Sequence, residues 1–332
     1  MPISPTRRRT LIAGSLICVA PALITRAHAA TGAVRPLRAP WDSFWFGGYV
    51  AAAGLERLGY TVGEPRVMTP AAMFQTLAQG DAEFTMDVVM PSSRVIHETV
   101  KDRVELLGPT VEPGSVAGYL IDKATAEKHG IRNITDFQKP EVATLFAEGA
   151  DKRARLIGPG AGWNDEKRAL DDINRLGLKD TVNLVIGEYN VMVADVVARQ
   201  RAGKPVFFYA WFPNIATVEL MPGREVVWLE EPGSDPKLAF QNVPGCASQQ
   251  DSCNTGWSST TYYVGGNTAW LDANPSARKF LSALRMQLND RVEQNLLMVK
   301  GEKRERDIER HAAEWIKANQ AAFDGWVESA RT

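Results

Sequence analysis

At 332 residues, 45% hydrophobic and 23% charged, the chain has the composition of a soluble globular protein long enough for two domains. Its 38 basic residues nearly cancel 39 acidic ones. Four arginines (Arg7, Arg8, Arg9, Arg26) lie in a leading segment expected to be removed; taking them from 38 leaves 34 against 39, a net −5, which argues against nucleic acid as a partner.

That leader comes first in chain order. Arg7-Arg8-Arg9 precedes an apolar run from Leu11 to Ile24, and Ala27-His28-Ala29 forms an A-x-A cleavage site. The run is shorter than the ~20 residues a membrane-spanning helix needs, so 1–29 reads as a cleaved export signal rather than an anchor. Arg8-Arg9-Thr10-Leu11-Ile12 resembles a twin-arginine signal set in a loose consensus. Cys18 follows Leu16-Ile17, without the small residue of a lipoprotein site. The mature chain is therefore expected to be soluble and exported.

The mature chain then alternates strands and helices. Val34 to Leu37 reads as a strand, Phe44 to Leu58 as a helix stopped at Gly59, and Thr69-Pro70 as the start of a helix running to Gly80. The apolar stretch Phe84 to Met90 is the next strand, followed by Tyr119 to Ile121 and the helix Ala124 to His129. Ala154 to Ile157 forms a strand ending in Gly158-Pro159-Gly160, before a helix from Asp165 to Leu176 whose first turn is acidic. Asn183 to Ile186 is a strand, Val191 to Ala202 a helix, and Pro205 to Trp211 a buried strand. Glu302 to Ser329 reads as one long helical region with Trp315 and Trp326 on its packed face. This alternation predicts an α/β architecture with largely parallel sheets. Ligands bind at the carboxyl ends of such strands, here just after Met90, Ile157 and Phe208. Two of those three places hold a tryptophan.

Enzyme signatures are missing from this pattern. There is no G-x-S-x-G, H-E-x-x-H or P-loop, and His28, His97, His129 and His311 are scattered. Gly158 to Gly162 is glycine-rich, but Asp165 opens the following helix and would repel phosphate. No catalytic residue, metal or cofactor is expected. Cys246 and Cys253 share a polar loop and either form a short disulfide in an oxidising compartment or remain free thiols. Nine tryptophans are many for this length. Trp41, Trp45, Trp163 and Trp211 stand at element ends, where rings either fill core or project into a cleft. A quaternary ammonium has no N–H to donate, and its diffuse charge is held by aromatic ring faces.

Several segments occur in one order: LERLGYTV, LAQGDAEFT, GYLIDKATAEKHGIRNITDF, IGPGAGW, AGKPVFFYAWFP, PGREVVWL and HAAEWIKANQAAFDGWV. In these the chain resembles the periplasmic glycine betaine/proline betaine-binding proteins of ABC transporters. The resemblance implies a type II two-lobed binding-protein fold with ligand in the interlobe cleft. It implies a first lobe from 30–115 and 230–332, a second lobe from 116–229, and hinges near Pro113–Gly118 and Val226–Gly233. It also implies delivery of a quaternary-ammonium or methylated-amine ligand to a permease with its ATPase, by a monomer. Carried residue by residue, Trp163 and Trp211 are two rings of a three-tryptophan box. The third ring falls at Val89, a carboxylate-binding histidine falls at Ser93, and a Gly-Cys pair of backbone amides falls at Asn164 and Asp165. These departures point away from a carboxylate toward choline or another amine. Trp45 or Trp41 is expected to replace the missing ring, with Asp165 and Asp87 tuning selectivity; Asp165 alternatively only caps its helix. A taurine-like solute, or a sensor role instead of transport, is the competing function.

Overall fold

The computed structural model describes Met1 and residues 33–112, 114–241, 244–248 and 252–332. The expected export signal, Met1 apart, and Pro113 at the expected hinge lie outside them. All the elements belong to one unit, Ala33–Thr332.

Among the described residues, twelve strands form two five-stranded sheets and a small ribbon. Strands β1 (Pro36–Arg38), β2 (Arg66–Val67), β3 (Phe84–Met90) and β4 (Val104–Val111) belong to the first sheet. The second takes β5 (Val116–Asp122), β6 (Ala154–Gly160), β7 (Val182–Gly187), β8 (Phe207–Phe212) and β9 (Val226–Trp228). Strands β10 (Phe240–Gln241) and β11 (Ser252–Cys253) make the ribbon, and β12 (Thr261–Asn267) returns to the first sheet. The sheet orders are β2-β1-β3-β12-β4 and β7-β6-β8-β5-β9.

Each sheet grows from a pair of strand–helix–strand units. Helices Trp45–Arg57 and Pro70–Gln79 link the parallel strands β1, β2 and β3; Asn164–Arg175 and Tyr189–Arg201 link β6, β7 and β8. Gly59 and Gly80, at φ +92° and +76°, supply the left-handed stops after the first two helices. The expectation of largely parallel sheets needs correction. Strand β12 is antiparallel to β3 and β4, and β5 is antiparallel to β8 and β9. Both strands enter from the other sheet, so no crossover helix sets their direction. Strand β12 has no clear sequence signature, because Gly265 and Gly266 dilute its strand character. A Cβ at Gly265 would approach Val88 to 2.8 Å, so the glycine permits close packing on β3.

Two further expectations shift. The C-terminal region is two helices, Glu305–Ala318 and Gln320–Arg331. At Asn319 the side chain donates to the Trp315 carbonyl at 3.0 Å, competing with the helical ladder. Trp315 and Trp326 stack at 6.1 Å and pack against the core. The second crossing also lies later than 226–233. Leu229 N donates to Tyr119 O at 2.9 Å and Thr255 Oγ1 to Ala117 O at 2.7 Å, so this stretch stays with the second sheet. Cys246 and Cys253 are bonded, with Cα atoms 5.6 Å apart, and Trp228 N donates to Gly245 O beside them. The chain re-enters the first sheet only at Thr261. There the two crossings run side by side: Ser115 N donates to Thr260 Oγ1 at 2.8 Å, and a Cβ at Gly114 would collide with the Thr260 carbonyl.

Candidate functional site

The carboxyl ends of β1, β3, β6 and β8 meet between the two sheets, and each delivers side chains there. Past β6, Gly162 turns the chain at φ +77° and Trp163 precedes its helix in extended conformation. A Cβ at Gly160 would press on the Trp163 ring, so that glycine lets the indole fold back over its own strand. Trp211 lies one residue before the end of β8, its carbonyl held by Thr217 Oγ1 at 2.9 Å. Trp41 follows β1, just before a 3-10 turn at Asp42–Phe44.

These three indoles converge. Trp41 and Trp163 centroids are 4.8 Å apart at 80°, and Trp163 and Trp211 are 5.8 Å apart at 60°. Tyr189 backs them, 5.3 Å from Trp211 and 5.0 Å from Trp163, while its own hydroxyl donates to Tyr209 O at 3.2 Å. Phe44, Tyr209 and Tyr262 complete the aromatic lining of a pocket whose remaining wall includes Val89, Ser93, Ala117, Asn164, Asp165 and Thr260. The pocket draws on both sheets and sits at their junction.

Trp45 and Asp87 are placed elsewhere. The Arg38 guanidinium stands 3.7 Å over the Trp45 ring, whose Nε1 donates to Ala39 O at 2.9 Å. The 3-10 turn separates Trp41 from Trp45 and sends the two rings to different pockets. Asp87 is buried and accepts from Ala39 N at 2.7 Å. Burial pushes its carboxyl up to about 6, against the pull of that hydrogen bond and of Arg291 and Arg38. Val89 reaches the pocket as an aliphatic wall, and Trp41 is the third indole of the lining.

Asp165 faces the pocket. Tyr209 OH donates to its Oδ2 at 2.9 Å; the helix carries no side-chain cap bond, and Glu166 accepts from Gly162 N, one residue before the cap position, at 2.6 Å. Burial raises the Asp165 carboxyl above its usual range, opposed by the Tyr209 bond and the Arg168 charge. Asn164 Nδ2 donates to Ser93 Oγ at 3.3 Å, joining the two walls of the cleft.

Tyr209 has a signal in the sequence: two residues before Trp211 on one strand, it shares that face. Phe44, Tyr189 and Tyr262 have no such signal; Tyr262 lies on β12, the strand without a sequence signature. Among the described residues, Glu230, Cys246 and Cys253 are the one group with metal-ligand proximity, and its two sulfurs are tied to each other.

Residues 32–318 match the family model described as the substrate-binding domain of ABC-type glycine betaine transport systems. The chain belongs to this family. It is 34% identical over 304 residues to the glycine betaine-binding periplasmic protein OusX of Dickeya dadantii, covering 90% of each chain. It is also 34% identical over 302 residues to the glycine betaine/proline betaine-binding periplasmic protein of Escherichia coli, covering 90% of this chain and 89% of the relative. Among solved structures it resembles lactococcal OpuAC, closed on glycine betaine, with a TM-score of 0.68 at 20% identity. That match covers 90% of this chain and 100% of the other, and shows the family's two-lobed fold here.

Proposed function

We propose that this protein captures a methylated ammonium solute in the periplasm and hands it, as a monomer, to an ABC permease with its ATPase. The observation that carries this reading is the convergence of Trp41, Trp163 and Trp211 beside the Asp165 carboxylate. Three ring faces and one anion make a site for a cation that needs no N–H donor. The protein's own arginine at Trp45 leaves those three rings to the ligand. The lobes in this reading are 33–115 with 260–332, and 116–259, moving about the paired crossings at Ser115 and Thr260.

Relatives are named for glycine betaine and proline betaine, zwitterions that carry a carboxylate. Here Asp165 repels such a group, and Asn164 and Ser93 bond each other. The ligand class favoured is therefore a choline-like cation with a neutral polar end, bound without turnover. Calorimetric titration with choline, glycine betaine, carnitine and trimethylamine N-oxide tests this. Choline is expected to bind tightest, and Trp163→Ala with Trp211→Ala to weaken it roughly 100-fold, as two desolvated cation–ring contacts imply. Millimolar binding of all four, or an unaffected double variant, would sink the cage.

A further inference from the structure

Arg291, on the helix Leu288–Val299, is 4% exposed. Its guanidinium carbon stands 4.0 Å from the Phe44 centroid and 4.3 Å from that of Tyr262. Nε and Nη1 are buried without a hydrogen-bond partner among the described residues. Asp87, whose carboxylate is bonded to Ala39 N, acts on it only through space. A buried cation without a bonded anion is costly, and a methionine would fill this place at less expense. What compensates the charge is two aromatic faces.

Both of those rings also line the ligand pocket. Their electron density is drawn toward Arg291, so they offer a second cation little attraction, and the guanidinium behind them repels it. The indoles of Trp41, Trp163 and Trp211 have no arginine over them among the described residues. The pocket is thus electrically lopsided, attractive to cations at the tryptophans and attractive to electron-rich atoms at Phe44 and Tyr262.

We propose that Arg291 is a specificity-determining residue that sets this polarity, orienting the ammonium toward the tryptophans and the oxygen-bearing end toward Phe44 and Tyr262. Resting on the cage reading above, it makes the site reject solutes that are cationic at both ends. Such a residue acts through two rings and never touches the ligand.

The test compares choline with (2-aminoethyl)trimethylammonium, of nearly the same shape, at mildly acidic pH where both nitrogens of the latter are charged. The wild-type chain is expected to prefer choline strongly. Arg291→Met should reduce that preference by roughly tenfold, the scale of one charge acting across a partly screened interior, while Arg291→Lys preserves most of it. A merely structural role would weaken both ligands together and leave their ratio unchanged, which would overturn the proposal. If Arg291→Met does not fold, saturation-transfer NMR on the wild-type protein decides: choline methyl protons should receive magnetisation chiefly from indole protons and the hydroxymethyl group from Phe44 and Tyr262. The reverse orientation overturns the proposal. Failure of the wild-type chain to bind choline removes the cage reading first, and this inference with it.

Discussion

Asp165 carries the strongest chemical contrast of any residue in the pocket. Its environment holds its carboxyl above the ordinary range because burial disfavours the charged form. A bound cation favours the carboxylate, so binding expels whatever proton the empty site holds. Affinity for choline is therefore expected to weaken as pH falls toward the raised value and to level off above it. Asp165→Asn should abolish this pH dependence and weaken choline roughly tenfold, the scale of one screened charge contact. Glycine betaine should lose less or gain, since its carboxylate no longer meets an anion. Calorimetry across the acidic range checks both; an unchanged pH profile in the variant would show that another group titrates.

Among the elements, the helix Trp45–Arg57 shows how one residue type serves opposite ends. Gly54 packs where any Cβ would collide with the Phe280 ring on the helix Pro275–Ala283. Gly48, earlier in the same helix, has nothing within 4 Å of the place a Cβ would take. The same substitution is thus expected to act with opposite signs. Gly48→Ala should stabilise by roughly 0.5–1 kcal/mol through lower backbone entropy in the unfolded chain. Gly54→Ala should destabilise by about 1–3 kcal/mol, because overpacking outweighs that gain. Urea denaturation measures both, and equal signs would refute the packing account. Sequence periodicity places this helix and its Gly59 stop, yet it cannot distinguish the two glycines, since only the neighbouring helix makes them different.

For the whole molecule, the decisive feature is that the sheets are joined through two neighbouring crossings. Ser115 and Thr260 bond each other there, and the Ser115 and Tyr262 hydroxyls are also paired. The helix bearing Asp165 reaches the later crossing through Arg168, which bonds the Gly256 carbonyl at 3.0 Å and the buried Asp172 at 2.7 Å. That helix is thereby tied to the stretch that leads into the later crossing. Small-angle X-ray scattering is expected to show the radius of gyration falling when choline is added. The variant Trp163→Ala with Trp211→Ala should stay at the unliganded value. An identical radius with and without ligand would argue against lobe closure.

Much of this protein is legible in its sequence alone. Strand–helix alternation, glycine stops and the segments around Trp163 and Trp211 are local in sequence, so periodicity and motif recover them. The family, the two-lobed plan and two of the three indoles follow from that information. The third indole does not, because Trp41 and Trp45 are indistinguishable as near neighbours in the chain. A single 3-10 turn points one at Trp163 and the other beneath Arg38. Asp165 likewise has two local readings, cap or pocket wall, and only the packed structure sets its carboxylate beside Tyr209 in the pocket lining. The antiparallel strands and the buried Arg291 depend on contacts between segments far apart in the chain. Local pattern determined which elements form; only their packing decided which side chains share one cavity and which charges face it.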